Sequence, residues 1–222
     1  MTLPSIVASA SNLAARVAAA KIPTAATGGV GGFLKFAFDD GEWTFGRDQD
    51  EVTGDVVLVN TNTICHGWIL WHAAKATKVL TTFDNDMPEA PAAIGNDQPS
   101  EARAFGAAFY DNGKPGEQLT FETNSFGGRK AVDTLVRAII DRVTQGETVA
   151  LYPLVKLTSE SYRNKNYHNK LIHNPVFEIV DWCDQNGVPA GQTPQLQAPV
   201  EETPAPEAAV EAPARRRRVV EA

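Results

Sequence analysis

Apolar and polar residues alternate with a period of two through the middle of the chain, which predicts strands there. Phe33-Leu34-Lys35-Phe36-Ala37-Phe38 reads as one strand. Asp39-Asp40-Gly41 supplies a turn, and Glu42-Trp43-Thr44-Phe45 returns as a second strand. Val56–Val59, Ile64–Trp71 and Val79–Phe83 follow as further strands. Pro88, Pro91, Gly95 and Pro99 then punctuate a long irregular connection. Ala104–Tyr110 and Leu119–Thr123 form a hairpin around Asn112-Gly113 and Pro115-Gly116. The spacing changes in Arg129–Val143, where Val132, Leu135, Val136, Ile139 and Val143 share one face of a helix that Gly146 ends. Two strands, Val149–Leu157 and Val176–Trp182, complete the set. The pattern predicts a mainly β domain with one packed α-helix, in a small OB-fold-like barrel that closes a sheet on itself and presents loops to a ligand.

Three parts follow from composition. Residues 1–27 are Ala-rich; Leu13, Arg16, Val17 and Ala20 suit a short helix ended by Pro23, in a flexible arm. Residues 28–187 carry nearly all the aromatic side chains and form the β-rich domain. Residues 188–222 are dominated by Pro, Ala, Gln and Glu with no aromatic residue, which predicts a disordered tail. Its charges are segregated, with Glu201, Glu202, Glu207 and Glu211 ahead of Arg215–Arg218. Such a tail is either simply solvated or a tethered regulator. In the second case its acidic part competes with DNA for a basic surface, and its arginines contact phosphates or a partner.

The 222 residues hold 20 Lys and Arg against 27 Asp and Glu, a net charge of −7. That excludes a uniformly basic DNA coat and requires any polyanion-binding cations to cluster on one face. Cys65 and Cys183 lie far apart without CxxC spacing, which fits a reducing compartment rather than a disulfide scaffold or structural zinc. No apolar run approaches the roughly 20 residues of a spanning helix, so no membrane association is expected. No basic stretch followed by a long apolar core marks a secretory signal.

One cluster stands out against the acidic background. Ser161–Lys170, SYRNKNYHNK, contains neither an acidic nor an aliphatic residue. Arg163, Lys165 and Lys170 suit phosphate contacts, and Tyr162 and Tyr167 suit stacking on bases. The plainer alternative is a polar β-hairpin whose tyrosines cover a sheet edge. A second candidate is Phe126-Gly127-Gly128-Arg129-Lys130, just ahead of the helix. Glycines permit close backbone approach, and a helix start offers free N–H groups. Arg129 and Lys130 oppose the helix dipole there unless an anion lies nearby. The spacing GxxxxGK[ST] is missing, so nucleotide hydrolysis is not expected. The alternative is a glycine turn leading into a helix with exposed cations.

The four tryptophans lie in strand-like runs. Trp43 and Trp182 are expected in the core. Trp68 and Trp71 differ by an odd number and face opposite sides of one strand, so one is core and the other is exposed for stacking or covers a second layer. His66, His72 and Cys65 lack the convergent spacing of a metal site, as do His168, His173 and Cys183. Asp39, Asp40, Asp48, Asp50 and Glu51 sit in turn-like segments that collect carboxylates anyway. Neither GxSxG nor HExxH occurs. No enzymatic activity and no cofactor is expected.

The order of several motifs resembles a family of small proteins of tailed bacteriophages and prophages that bind single-stranded DNA as replication or recombination accessories. The carrying residues are FLKF at Phe33–Phe36, WTFG at Trp43–Gly46, GWILW at Gly67–Trp71, FGGRKAV at Phe126–Val132, YPLVKLTSESY at Tyr152–Tyr162 and NPVFEIVDW at Asn174–Trp182. They span most of the expected domain. The resemblance implies an OB-like fold and single-strand binding without catalysis. It also implies replication or recombination proteins as partners and the host cytoplasm as location, with homo-oligomerisation left open. Many single-strand binders end in an acidic tip, whereas this chain ends RRRRVVEA, so the resemblance does not extend to recruitment by such a tip. The alternative reading is a phage structural or interaction protein whose basic patch binds an acidic protein partner.

Overall fold

A computed structural model describes residues 31–164 and 168–190 of the chain. The expected N-terminal arm, with its short helix, and nearly all of the expected tail lie outside these residues, as do Lys165 and Tyr167. The described fold continues to Ala190, where Asp184 N–H bonds to the Val188 carbonyl and Cys183 bridges to Pro189.

Among the described residues ten strands and one long helix follow in the order β1 (Gly32–Phe36), β2 (Trp43–Phe45), β3 (Asp50–Glu51), β4 (Val56–Val59), β5 (Cys65–His72), β6 (Lys75–Thr82), β7 (Ser100–Asp111), β8 (Lys114–Thr123), α1 (Phe126–Thr144), β9 (Tyr152–Asn164) and β10 (Lys170–Cys183). They build a single curled sheet, a half-barrel, in the order β10-β9-β4-β7-β8-β1-β2-β3, with β5 joining β7 and carrying β6 on its outer side. All pairs are antiparallel except β1 with β8. The mainly β, one-helix, barrel-like architecture is the one the sequence pattern predicts.

Strand β7 organises the sheet. Its first half, Ser100–Ala104, pairs with β5, and Ala107–Phe109 pairs with β4. The two partners are separated by a 3-10 turn at Thr61–Thr63, where the Asn60 side chain accepts from Asn62 N–H and cannot let the strand continue. Thr63 Oγ1 accepts the Gly106 N–H at 2.8 Å, filling the gap in the ladder. Beyond this kink the sheet divides. One branch runs to the β5–β6 hairpin and the other to the β9–β10 hairpin.

The sheet curls until its far ends meet. Trp43 on β2 donates its indole N–H to the Thr158 carbonyl on β9 at 2.8 Å, and Gly54 N–H bonds to the Leu157 carbonyl. Trp43 is 0% exposed and packs with Phe121 and Phe177, which also pack on Phe105; ring centroids lie 5.2–5.5 Å apart. Aromatic burial of this kind contributes a few kcal/mol per ring, about 25 cal/mol per Å² of apolar surface. The helix closes the core with Val132, Leu135 and Ile139, the residues its spacing predicts. Val143, on the same stripe, packs on a smaller cluster of Leu58, Leu151, Tyr152, Leu154 and Cys183.

Several boundaries differ from the sequence expectation, each for a local reason. The first strand stops at Phe36 because Ala37 N–H already bonds across the turn to the Glu42 carbonyl. The ninth starts at Tyr152 rather than Val149 because the Glu147 carboxylate accepts the N–H groups of Thr148, Val149 and Ala150 and holds them in a turn. Trp182 is half-buried rather than fully buried, and the Arg142 guanidinium lies over its ring, 4.7 Å from the centroid. At Ser161–Lys170 the two flanks form a polar β-hairpin, the plainer of the two sequence readings: they are the distal ends of β9 and β10, paired in register to Asn164 and Lys170, well beyond the expected strand limits at Leu157 and Val176.

Candidate nucleic-acid interface

The distal β9–β10 hairpin is an arm. Tyr152–Val155 are buried, whereas every residue from Ser159 to Arg163 is exposed. The chemistry of the sequence accounts for this: Ser159-Glu160-Ser161-Tyr162-Arg163 has no aliphatic residue at alternate positions and so no face to bury. Directly paired residues share a face. Tyr162 pairs with Ile172, and Arg163 pairs with Leu171. Tyr162 and Arg163 therefore point to opposite sides of the ribbon, and a ligand that meets both must wrap its edge.

The arm is gripped from two directions. On one side the β1–β2 turn reaches in. Phe38 carbonyl accepts the His173 N–H at 2.9 Å, and the Asp39 carboxylate accepts from the Lys170 ammonium at 2.6 Å. Hydrogen bonding to Asp39, with its charge, holds the Lys170 pKa above the ordinary lysine value. Gly41, at a φ of 78°, lies against His173 and Ser159, where any side chain would overlap the imidazole. On the other side the first turn of α1 arrives, with Gly127 set directly against the Asn174 side chain. Asn174 is two residues from Ile172 on the same face, about 7 Å along the strand. The helix start and the Tyr162 row are therefore neighbours.

The helix start is open. Ser125 caps it, accepting the Gly128 N–H at 3.0 Å, and no acidic side chain lies in the first turn. Phe126 is 77% exposed, an aromatic ring standing in solvent at the head of the helix. Lys130 is exposed and forms no ion pair among the described residues. Arg129 is turned away: its guanidinium forms a close ion pair with Glu101 at the start of β7. Glu101 also lies 3.8 Å from Arg103, whose Nε donates to Asp133 at 2.7 Å.

Of the seven residues singled out in the sequence, the structure places Tyr162, Arg163 and Lys170 on the distal arm and Lys130 in the first turn of α1, which meets the arm at Asn174. It places Arg129 there too, but engaged by Glu101. Lys165 and Tyr167 lie outside the described residues. Sequence reasoning did not anticipate two carboxylates, Asp39 and Glu101, that meet the candidate cations from distant parts of the chain. Phe126 is an exposed ring that the sequence signals only by an aromatic residue set between a cap serine and two glycines. No group of three or more His, Cys, Asp or Glu converges as a metal site among the described residues. No described helix is long and apolar enough to cross a membrane. Comparison with protein-family models, with curated proteins and with solved structures finds no match for this chain.

Proposed function

We propose that the protein binds single-stranded DNA without catalysis, as an accessory of phage-type DNA replication or recombination acting in the host cytoplasm. The observation that carries this reading is the meeting of Gly127 with Asn174. It sets an uncapped-by-acid helix start and its exposed Phe126 beside an exposed β-arm bearing Tyr162, Arg163 and Lys170. Cations track the phosphates and flat rings stack on unpaired bases, a combination that tolerates any sequence. Lys130, Arg163, Lys165 and Lys170 supply the charge, joined by Arg129 when it leaves Glu101; Tyr162 and Tyr167 supply the stacking.

The test is fluorescence anisotropy of a labelled oligo-dT with the wild type and with the double variant Tyr162→Ala/Lys165→Ala. Binding by the wild type that is weakened about tenfold or more in the variant supports the reading, since each stacked base is worth roughly 1–3 kcal/mol. Absence of binding at low salt contradicts it and favours the alternative, an acidic protein partner for the same arm.

A further inference from the structure

The molecule has a second projecting hairpin, β5–β6, whose eighteen residues from Cys65 to Thr82 include Lys75 and Lys78 and no Asp or Glu. In a chain with a net charge of −7, this is an unusually cationic element. Its tip is a two-residue turn, Ala73-Ala74, with both φ values positive. The two faces of β5 have different fates. On the face of Trp68 and His72 the connection that follows β6 covers Trp68, whose Nε1 donates to the Pro88 carbonyl at 2.8 Å, while His72, itself exposed, lies 2.9 Å from Asp97. Trp71 is on the other face, beyond the buried Ile69, and is 54% exposed. Lys75 is exposed at the hairpin end. Lys78, on the Trp71 face, pairs with Glu122 at 2.7 Å.

This hairpin is connected to the proposed interface. Ile69 pairs with Ser100 on β7, and the Ser100 hydroxyl accepts from Asn124, two residues before Phe126. Trp71 is two residues beyond Ile69 on the same face. The segment leading into α1 is thus held to one hairpin through Asn174 and to the other through Ser100, but Arg129 pairs with Glu101 and Asp133 with Arg103, on the Trp68 face of the sheet, so Trp71 lies round the start of β7 from the head of α1. An exposed aromatic ring marks each of the three places: Tyr162, Phe126 and Trp71.

We propose that Trp71 is a second base-stacking platform, and that a single DNA strand passes from the β9–β10 arm over the head of α1 and round the start of β7 to the β5–β6 hairpin, with Lys75 at its phosphates. The inference rests on the single-strand reading above and extends its site. An exposed indole on a cationic ribbon suits an unpaired base, because every base has a face to stack and the backbone brings the negative charge. A duplex hides those faces.

The experiment uses the full chain, oligo-dT and a duplex of equal length. Among the four tryptophans Trp43 is fully buried and Trp68 and Trp182 are half-buried, so quenching of intrinsic fluorescence by oligo-dT reports mainly on Trp71. The proposal predicts that Trp71→Ala weakens oligo-dT binding about 5- to 150-fold, the value of one stacked base. Trp71→Phe keeps binding within a few-fold of wild type, because a phenyl ring still stacks, yet loses the quench. Duplex binding is unaffected by either substitution. Two results overturn the second platform while leaving the single-strand reading intact: wild-type oligo-dT affinity in Trp71→Ala with weakened binding in Tyr162→Ala, or an equal loss on duplex and single strand. Failure of the wild type to bind oligo-dT at low salt overturns both.

Discussion

Gly127, in the first turn of α1, lies so close to the Asn174 side chain of β10 that a Cβ on residue 127 would overlap its Oδ1. This contact joins the helix start to the arm. It also explains why a glycine occupies a helical position where alanine is intrinsically better by roughly 1 kcal/mol. The two positions should therefore be coupled. Gly127→Ala alone is expected to destabilise by about 1–3 kcal/mol, the cost of forcing a group into a filled site. In an Asn174→Ala background the same substitution should be neutral or stabilising by up to about 1 kcal/mol. Chemical denaturation of the two single variants and the double variant measures the coupling directly.

Asp39 restrains Lys170 at the distal end of the arm. Replacing it by Asn removes a negative charge from the proposed DNA path and releases a cation into it. Asp39→Asn is expected to raise oligo-dT affinity and to steepen its salt dependence by about 0.7 in log–log slope, one additional phosphate contact. The pair is exposed, so thermal stability should change little. Equal affinity and equal slope in the variant would show that Lys170 does not meet the strand. Anisotropy titrations of wild type and variant at several salt concentrations distinguish the outcomes.

Cys183 is fully buried near Tyr110, and burial, with the negative charge of Asp181, pushes its thiol up to about 11. A group whose folded pKa lies above its unfolded value contributes stability that is complete below the unfolded pKa and is lost as pH rises through the folded one. The relevant window runs from the ordinary thiol value near 9 to about 11. Across it the wild type should lose on the order of 2–3 kcal/mol relative to Cys183→Ala, whose side chain does not titrate. Denaturation at pH 8 and pH 10.5 for both proteins checks this; parallel losses would exclude Cys183 as the source.

Much of the frame is legible in local sequence. The helix face Val132, Leu135, Ile139 follows from spacing alone, and the Asn112-Gly113 turn from the two left-handed positions such residues favour. Trp43 is a core residue as its strand pattern predicts. The arm is not legible in the same way. Ser159–Arg163 is held as strand only by backbone pairing to β10, so no alternation of side chains announces it. The ion pair of Lys170 with Asp39 joins residues 131 positions apart, and that of Arg129 with Glu101 depends on how α1 crosses the start of β7. Candidate cations can be listed from sequence, but which of them are already neutralised is decided by non-local packing. The opposite facing of Trp68 and Trp71 was readable from their odd spacing; which one is covered depended on where residues 83–99 lie.

The central claim, a phosphate-tracking surface on the distal arm and at the head of the helix, is tested most directly by the salt dependence of oligo-dT binding to the full chain. With three to five phosphate contacts, log K against log salt should be linear with a slope of about −2 to −3.5. An affinity that does not change with salt, or no binding at the lowest salt, would contradict it.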